Sequence, residues 1–330
     1  MGGYRKLKKK ILEMLRTSDG KYVSGEIIAE KLEVSRTAIW KHIQSLRKRG
    51  YQIASSERLG YKLEMLPDLL LPEIVQYELD TKIIAADAPV VYKNSIDSTN
   101  EFAKKMAYNG AADGTVVVAE EQTGGKGRLE RSFFSPKEKG IWFSMILRPQ
   151  CLPKDTPKFT LLAAVAVARA FERFNLRAGI KWPNDIMYDG RKLVGILTEM
   201  SAEIGYVKYV VIGIGINVNI EREEFPASIR EIAASLSEMA GKNLNRLEIF
   251  RAVLDEFDKL YIANDFDEVF KNWRKYNITL GETVTVFSAE SGEIFTGKAI
   301  DINEEGALVV KTDGEIKTVY AGDVSIRTAK

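Results

Sequence analysis

The chain is poor in the residues that much of enzyme chemistry depends on. Its 330 residues include one cysteine, Cys151, and one histidine, His42. A single cysteine excludes an internal disulfide and fits a reducing cytoplasm. With one histidine beside it, a structural zinc site is not expected, and no metal-ligating set is assigned. No run of eighteen apolar residues occurs, so neither a membrane-spanning helix nor a membrane partner is expected. The start, Met1 to Lys6, leads into a charged amphipathic segment and lacks the apolar core of a secretion signal, so the expected location is cytoplasmic.

Charge is present but unevenly placed. The net charge is only +2, yet residues 1–63 carry 15 Lys+Arg against 6 Asp+Glu, and residues 64–330 carry 33 against 40. A basic head on a mildly acidic body points to a polyanion as the partner of the head. Within it, Leu7, Ile11, Leu12 and Leu15 share one face of a first helix. Ser24 is placed to cap a short second helix with Ile27, Ile28 and Leu32 inward, and Ser35 a third reaching about Arg49. On the third, Ile39, Ile43 and Leu46 point in, while Arg36, Thr37, Trp40, Lys41, Gln44 and Lys48 point out. Two strands around 51–54 and 61–63 follow, joined by a loop with Arg58 and Gly60. Three helices and a hairpin spell a winged helix-turn-helix, with Ser35, Arg36, Thr37, Trp40, Lys41, Gln44 and Arg58 as the expected contacts to double-stranded DNA. A winged helix used for protein contacts has the same pattern.

The body is read from Pro67, after a change of composition at 64–68, and mixes strands with helices. Helices are expected near 159–174, 228–240, 246–263 and 266–276, and long strands over 192–200 and 206–216. Between two strand-like stretches lies Gly124-Gly125-Lys126-Gly127-Arg128. Three glycines and two cations allow backbone N–H groups to approach an anion closely. No Ser or Thr follows the lysine, and the spacing is not GxGxxG, so neither common nucleotide loop is present. From these five residues, a phosphate clamp and a solvated surface loop are both open. From about 279 on, five short strand candidates are spaced by glycine turns, Asp313-Gly314 among them, as in a small closed barrel of the SH3-like kind.

Five further stretches occur in order: Ser98-Thr99-Asn100; Glu120-Glu121-Gln122-Thr123 before the glycine loop; Lys181-Trp182-Pro183-Asn184-Asp185; Lys192-Leu193-Val194-Gly195-Ile196; and Gly213-Ile214-Gly215-Ile216-Asn217. Behind a winged helix, this series resembles the bifunctional biotin–protein ligases that also repress the biotin operon, over nearly the whole chain. The resemblance implies an α+β protein with a winged helix-turn-helix at 1–66, a mixed α/β ligase domain of the class II synthetase type at 67–278, and an SH3-like β-barrel at 279–330. It implies that biotin and ATP form biotinyl-5′-AMP, with Mg²⁺ accompanying the nucleotide, and that biotin passes to a lysine of a carboxylase's biotin carboxyl carrier domain. It also implies operator binding by a homodimer when the adenylate is bound.

The resemblance further implies roles for individual residues. Lys192 and Arg128 are the expected catalytic groups. Ser98, Thr99, Asn100, Gln122, Gly125, Lys126, Gly127, Arg128 and Lys192 are expected at biotin. Arg128, Arg131, Phe133, Asn184 and Asn217 are expected at ATP, and Lys126 is expected to meet phosphate together with Arg128. Asp185 is a candidate to hold the metal or loop, or to assist the acceptor lysine. Lys126, Glu130 and Phe133 depart from the family's commonest pattern, where arginine, glycine and tryptophan stand. Three neighbouring readings remain: a lipoate ligase of the same general fold, a sensing repressor with an inactive ligase body, and a ligase whose head does not bind DNA.

Overall fold

The computed structural model describes every residue except Met1, Glu78, Glu130, 289–291, 322–323 and 329–330. It divides into two units, Met1–Leu69 and Leu70–Lys330.

In the first unit the apolar spacing closes three helices on one another: α1 (Gly2–Arg16), α2 (Gly25–Lys31) and α3 (Arg36–Arg47). Ser24 and Ser35 cap the second and third, accepting from the backbone N–H of Glu26 and of Ala38. Ile11, Leu15, Ile28, Ile39, Ile43 and Leu46 are buried. Each such side chain contributes about 1.5–3 kcal/mol, which holds helices individually too short to persist in water. The wing is the antiparallel pair β1 (Gln52–Ser56) and β2 (Gly60–Met65). Arg47 ties α3 to it by donating to the Ile53 carbonyl. Gly60 has φ +99°, and a Cβ there would lie 2.1 Å from the Val23 carbonyl oxygen, so the turn needs glycine. Arg36, Thr37, Trp40, Lys41 and Arg58 are exposed and Gln44 is half-buried. His42 is buried, and burial, with Lys8 adding to it, lowers its pKa. Ile27, expected inward, is 48% exposed, because a seven-residue helix turns only Ile28 and Ala29 to the core.

The second unit begins with α4 (Pro72–Val75), β3 (Val90–Lys93), α5 (Thr99–Tyr108), β4 (Thr115–Ala119) and β5 (Gly140–Leu147). It continues with α6 (Thr156–Glu172), β6 (Gly179–Lys181), β7 (Asp185–Tyr188), β8 (Arg191–Glu203) and β9 (Tyr206–Asn217). The strands form one seven-stranded sheet in the order β3-β4-β5-β9-β8-β7-β6, with β3 and β4 parallel and the other neighbours antiparallel. Then come α7 (Leu236–Ala240), α8 (Arg246–Ala263) and α9 (Phe266–Tyr276). Alternation along β4 sends Val116 and Val118 to the main core, under α6 and α8, and Val117 to the opposite face, where Ala103 and Ala107 of α5 pack.

The helix expected over 228–240 shrinks to α7. The backbone just before it is used elsewhere: Lys192 donates its N–H to the Ile232 carbonyl and accepts from Ala234, which is incompatible with a helix through 232–234.

The tail holds β10 (Thr283–Ser288), β11 (Gly292–Ile302), β12 (Leu308–Lys311), β13 (Ile316–Val319) and β14 (Val324–Thr328), antiparallel in the order β13-β12-β11-β10-β14. The Asp313-Gly314 turn joins β12 to β13. Five antiparallel strands are present as expected, but β13 and β14 stand at opposite edges with no ladder between them among the described residues, so closure into a barrel is not found. The tail packs on the main core through Val284, Val286, Leu308 and Val310. Trp182 pins it by donating from its indole nitrogen to Gly306 and from its backbone to the Thr279 hydroxyl.

Candidate active site

One cavity gathers most of the residues that the motifs single out. It opens where the N-terminus of α5 meets strands β5, β8 and β9, and the glycine loop folds across it. Ser98, Thr99, Asn100, Gln122, Lys126, Gly127, Arg128, Phe133, Asn184 and Lys192 line it. Arg131 is exposed and does not. Gly125 supports the loop beneath: a Cβ there would lie 2.4 Å from the Phe133 carbonyl oxygen. Asn217 is buried beside the cavity and donates to the carbonyls of Ala234 and Lys192. Glu130 lies outside the described residues.

The floor is polar and internally satisfied. Ser98 caps α5, accepting from the Glu101 N–H. Gln122 Oε1 accepts from both the backbone and the hydroxyl of Thr99, at 2.9 and 3.0 Å, while its Nε2 donates to Ser135. Asn100 Nδ2 donates to Glu199 Oε2 at 2.9 Å, and Oδ1 accepts from the Ser144 hydroxyl at 2.5 Å. This fixes the Asn100 amide with its oxygen turned to the strand floor, where a Cβ at Gly213 would lie 2.1 Å from it. Side chains held this way present a fixed polar surface to the cavity. Sequence reasoning missed Ser144 and Glu199; the signal for the first was a lone hydroxyl inside the apolar strand Gly140–Leu147.

Above the floor, the ring of Phe133 lies against Gly195 and Gly215, cross-strand partners of β8 and β9. A Cβ at either would fall within 2.8 Å of that ring. The missing side chains leave room for the Phe133 ring against the sheet, where Trp142 meets it edge-on at 5.9 Å and the pair forms an apolar wall.

The cations stand at the mouth. Arg128 donates to Asn184 Oδ1 at 3.2 Å and to the Ala321 carbonyl, joining the loop to the body and the tail. Lys192 Nζ lies 2.7 Å from Asp185 Oδ1, across the β7–β8 pair. Its backbone is pinned to 232–234 on one side and to Asn217 on the other. No histidine lines the cavity, so acid–base chemistry by imidazole has no candidate there. The arrangement instead offers fixed positive charge beside a polar floor and an apolar wall. That defines a site for joining two anions, of the kind a carboxylate-activating ligase requires.

Comparison with known proteins agrees with that class. The family described as "Biotin/lipoate A/B protein ligase family" matches residues 92–217, an "HTH domain" matches 8–62, and "Biotin protein ligase C terminal domain" matches 279–327. The chain is 38% identical to the bifunctional ligase/repressor BirA of Bacillus subtilis over 97% of this chain and 98% of that one. It is 32% identical to the corresponding protein of Escherichia coli, with 95% of each covered. Among solved structures, the biotin protein ligase of Aquifex aeolicus in complex with biotin and ATP matches with a TM-score of 0.62 and 30% identity, covering 73% of this chain and 99% of that one. The chain belongs to the biotin protein ligase family, among the members that carry an N-terminal helix-turn-helix.

Proposed function

We propose that the chain is an ATP-dependent biotin–protein ligase and a biotin-responsive repressor, with a DNA-binding head at 1–66, a ligase domain at 67–278 and a C-terminal domain at 279–330. The observation that carries this reading is one cavity lined together by polar Thr99, Asn100 and Gln122, by Phe133 lying on Gly195 and Gly215, and by the cations Arg128 and Lys192. Biotin enters with its ureido ring on the floor, served by Ser98, Thr99, Asn100 and Gln122, and its acid group toward Lys192. The backbone of Gly125, Lys126 and Gly127 closes over it.

The carboxylate is already ionised at neutral pH and needs no base. One of its oxygens bonds to the α-phosphorus of ATP, the bond to the β-phosphate bridge breaks, and pyrophosphate leaves. Lys192 and Arg128 offset the negative charge gathered in that transition state. Asn184, Arg131, Phe133 and Asn217 serve the nucleotide side. Among the described residues, no group of three carboxylate, imidazole or thiol side chains could hold a metal. Mg²⁺ needs only one or two carboxylates beside the nucleotide's phosphates, and Asp185 is the residue that would hold it there to offset phosphate charge. In the second step the amine of an acceptor lysine attacks the mixed-anhydride carbonyl, an amide forms and AMP departs. The amine's proton must leave, and Asp185 is the nearby carboxylate.

The acceptor is a lysine of a biotin carboxyl carrier domain. With the adenylate retained, two copies pair and the heads occupy operator DNA through Ser35, Arg36, Thr37, Trp40, Lys41, Gln44 and Arg58. The setting is cytoplasmic, and no described helix is long and apolar enough to cross a membrane.

The reading is tested by incubating the full chain with ATP, Mg²⁺, biotin and a purified carrier domain, followed by intact-mass measurement. One biotin amide on the carrier lysine is expected. Transfer of lipoate in place of biotin, or no transfer, would contradict it.

A further inference from the structure

Glu101 is on the first turn of α5, the helix whose start supplies Thr99 and Asn100 to the floor. Its Oε1 lies 2.9 Å from Lys126 Nζ in the glycine loop and 2.9 Å from Lys104 Nζ. Lys104 continues to Glu199 Oε1 at 2.7 Å, and the other oxygen of Glu199 holds Asn100 Nδ2. A chain of alternating charges thus runs from the loop's cation to the amide that shapes the floor. The geometry is matched by the titration of its members. The ammonium of Lys104 first, and that of Lys126 next, holds the Glu101 carboxyl below its ordinary range. Burial works against the charge of Lys104, but its pairs with Glu199 and Glu101 prevail and raise its pKa. Glu101 and Glu199 do not line the cavity, so their contacts act through other residues.

A carboxylate 2.9 Å from Lys126 cancels much of the charge that this lysine would offer to a polyphosphate. It also fixes the loop at a point where two internal bonds, Gly127 N–H to Arg131 and Phe133 N–H to Gly125, already fold the loop on itself. We propose that Glu101 is a positioning residue that latches the loop through Lys126, so that Lys126 closes the site and is not a phosphate ligand. The inference rests on the ligase reading and deepens it: retention of the activated intermediate is set by a latch between protein charges as well as by contacts to the ligand.

The test is a double-mutant cycle in the full chain with Glu101→Gln, Lys126→Gln and the pair. The readouts are the dissociation rate of preformed biotinyl-5′-AMP, the KM for ATP in pyrophosphate exchange, and the melting temperature. A pair of this exposure is expected to change the dissociation rate about 2–5-fold. Each single variant should release the adenylate faster by that factor, and the double variant no faster than either. Multiplied effects, or a KM for ATP raised by Lys126→Gln whatever residue stands at 101, would return Lys126 to the phosphates and overturn the latch. A melting temperature lowered by Glu101→Gln with unchanged release would reduce Glu101 to a helix-end charge, again overturning it. A wild-type chain that makes no adenylate from biotin and ATP would overturn the ligase reading itself, and the latch with it.

Discussion

Lys192→Ala should lower the rate of adenylate formation by about 10²–10³-fold, the size found when one preorganised donor is removed from a developing negative charge. Lys192 is expected to act at this level because its position is over-determined. Its backbone bonds to 232–234 on one side and to Asn217 on the other, and Nζ rests 2.7 Å from Asp185. Biotin-dependent pyrophosphate exchange measures the loss, with the melting temperature checking that the variant is folded. A loss below about tenfold for Lys192→Ala would move the catalytic charge elsewhere.

The largest effect on stability is expected away from the cavity, at Arg246→Met. Arg246 and Glu120 are fully buried and lie 2.8 Å apart. Glu120 also accepts from the Leu70 N–H, and Arg246 also donates to the Gly140 carbonyl, so one pair joins the start of the second unit to β4, β5 and α8. Breaking such a pair from one side costs about 3–5 kcal/mol, because a buried charge is left uncompensated. In the intact protein burial pushes the Glu120 carboxyl up and Arg246 draws it down, with burial prevailing. Without the guanidinium the folded-state pKa rises further above its unfolded value. A raised carboxyl is tolerated at acid pH, where it is protonated in both states, and becomes destabilising as pH rises toward the folded pKa. Urea unfolding at pH 5 and at pH 8 should show the larger loss at pH 8. An equal loss at both, or one under about 1 kcal/mol, would contradict this account of the pair.

Much of the architecture was legible because it is written in local spacing. Ser24 and Ser35 announced their helices, the apolar period of 36–49 separated core from surface, and the alternation and glycine turns of the tail marked five strands. The features that escaped depend on partners far apart in the chain. Ile27 has helical spacing but belongs to a helix too short to bury it. Residues 228–234 have helix-forming composition, yet their backbone is claimed by Lys192, some forty residues earlier. Closure of the tail depends on pairing between edge strands, which spacing alone does not specify. At the site, the motifs marked most of the residues that line the cavity, but not Ser144, Glu199 and Glu101 behind them. Nothing in the sequence around Glu120 points to Arg246. Charges that meet across a fold leave no periodic trace.

The central claim is that positive charge and a hydrogen-bonding floor in one cavity join biotin's carboxylate to adenylate. The most direct test is exchange of labelled pyrophosphate into ATP by the purified full chain, with biotin, with lipoate and with neither. The account predicts exchange with biotin and none above background in the other two. Exchange that requires lipoate, or exchange indifferent to biotin, would contradict it.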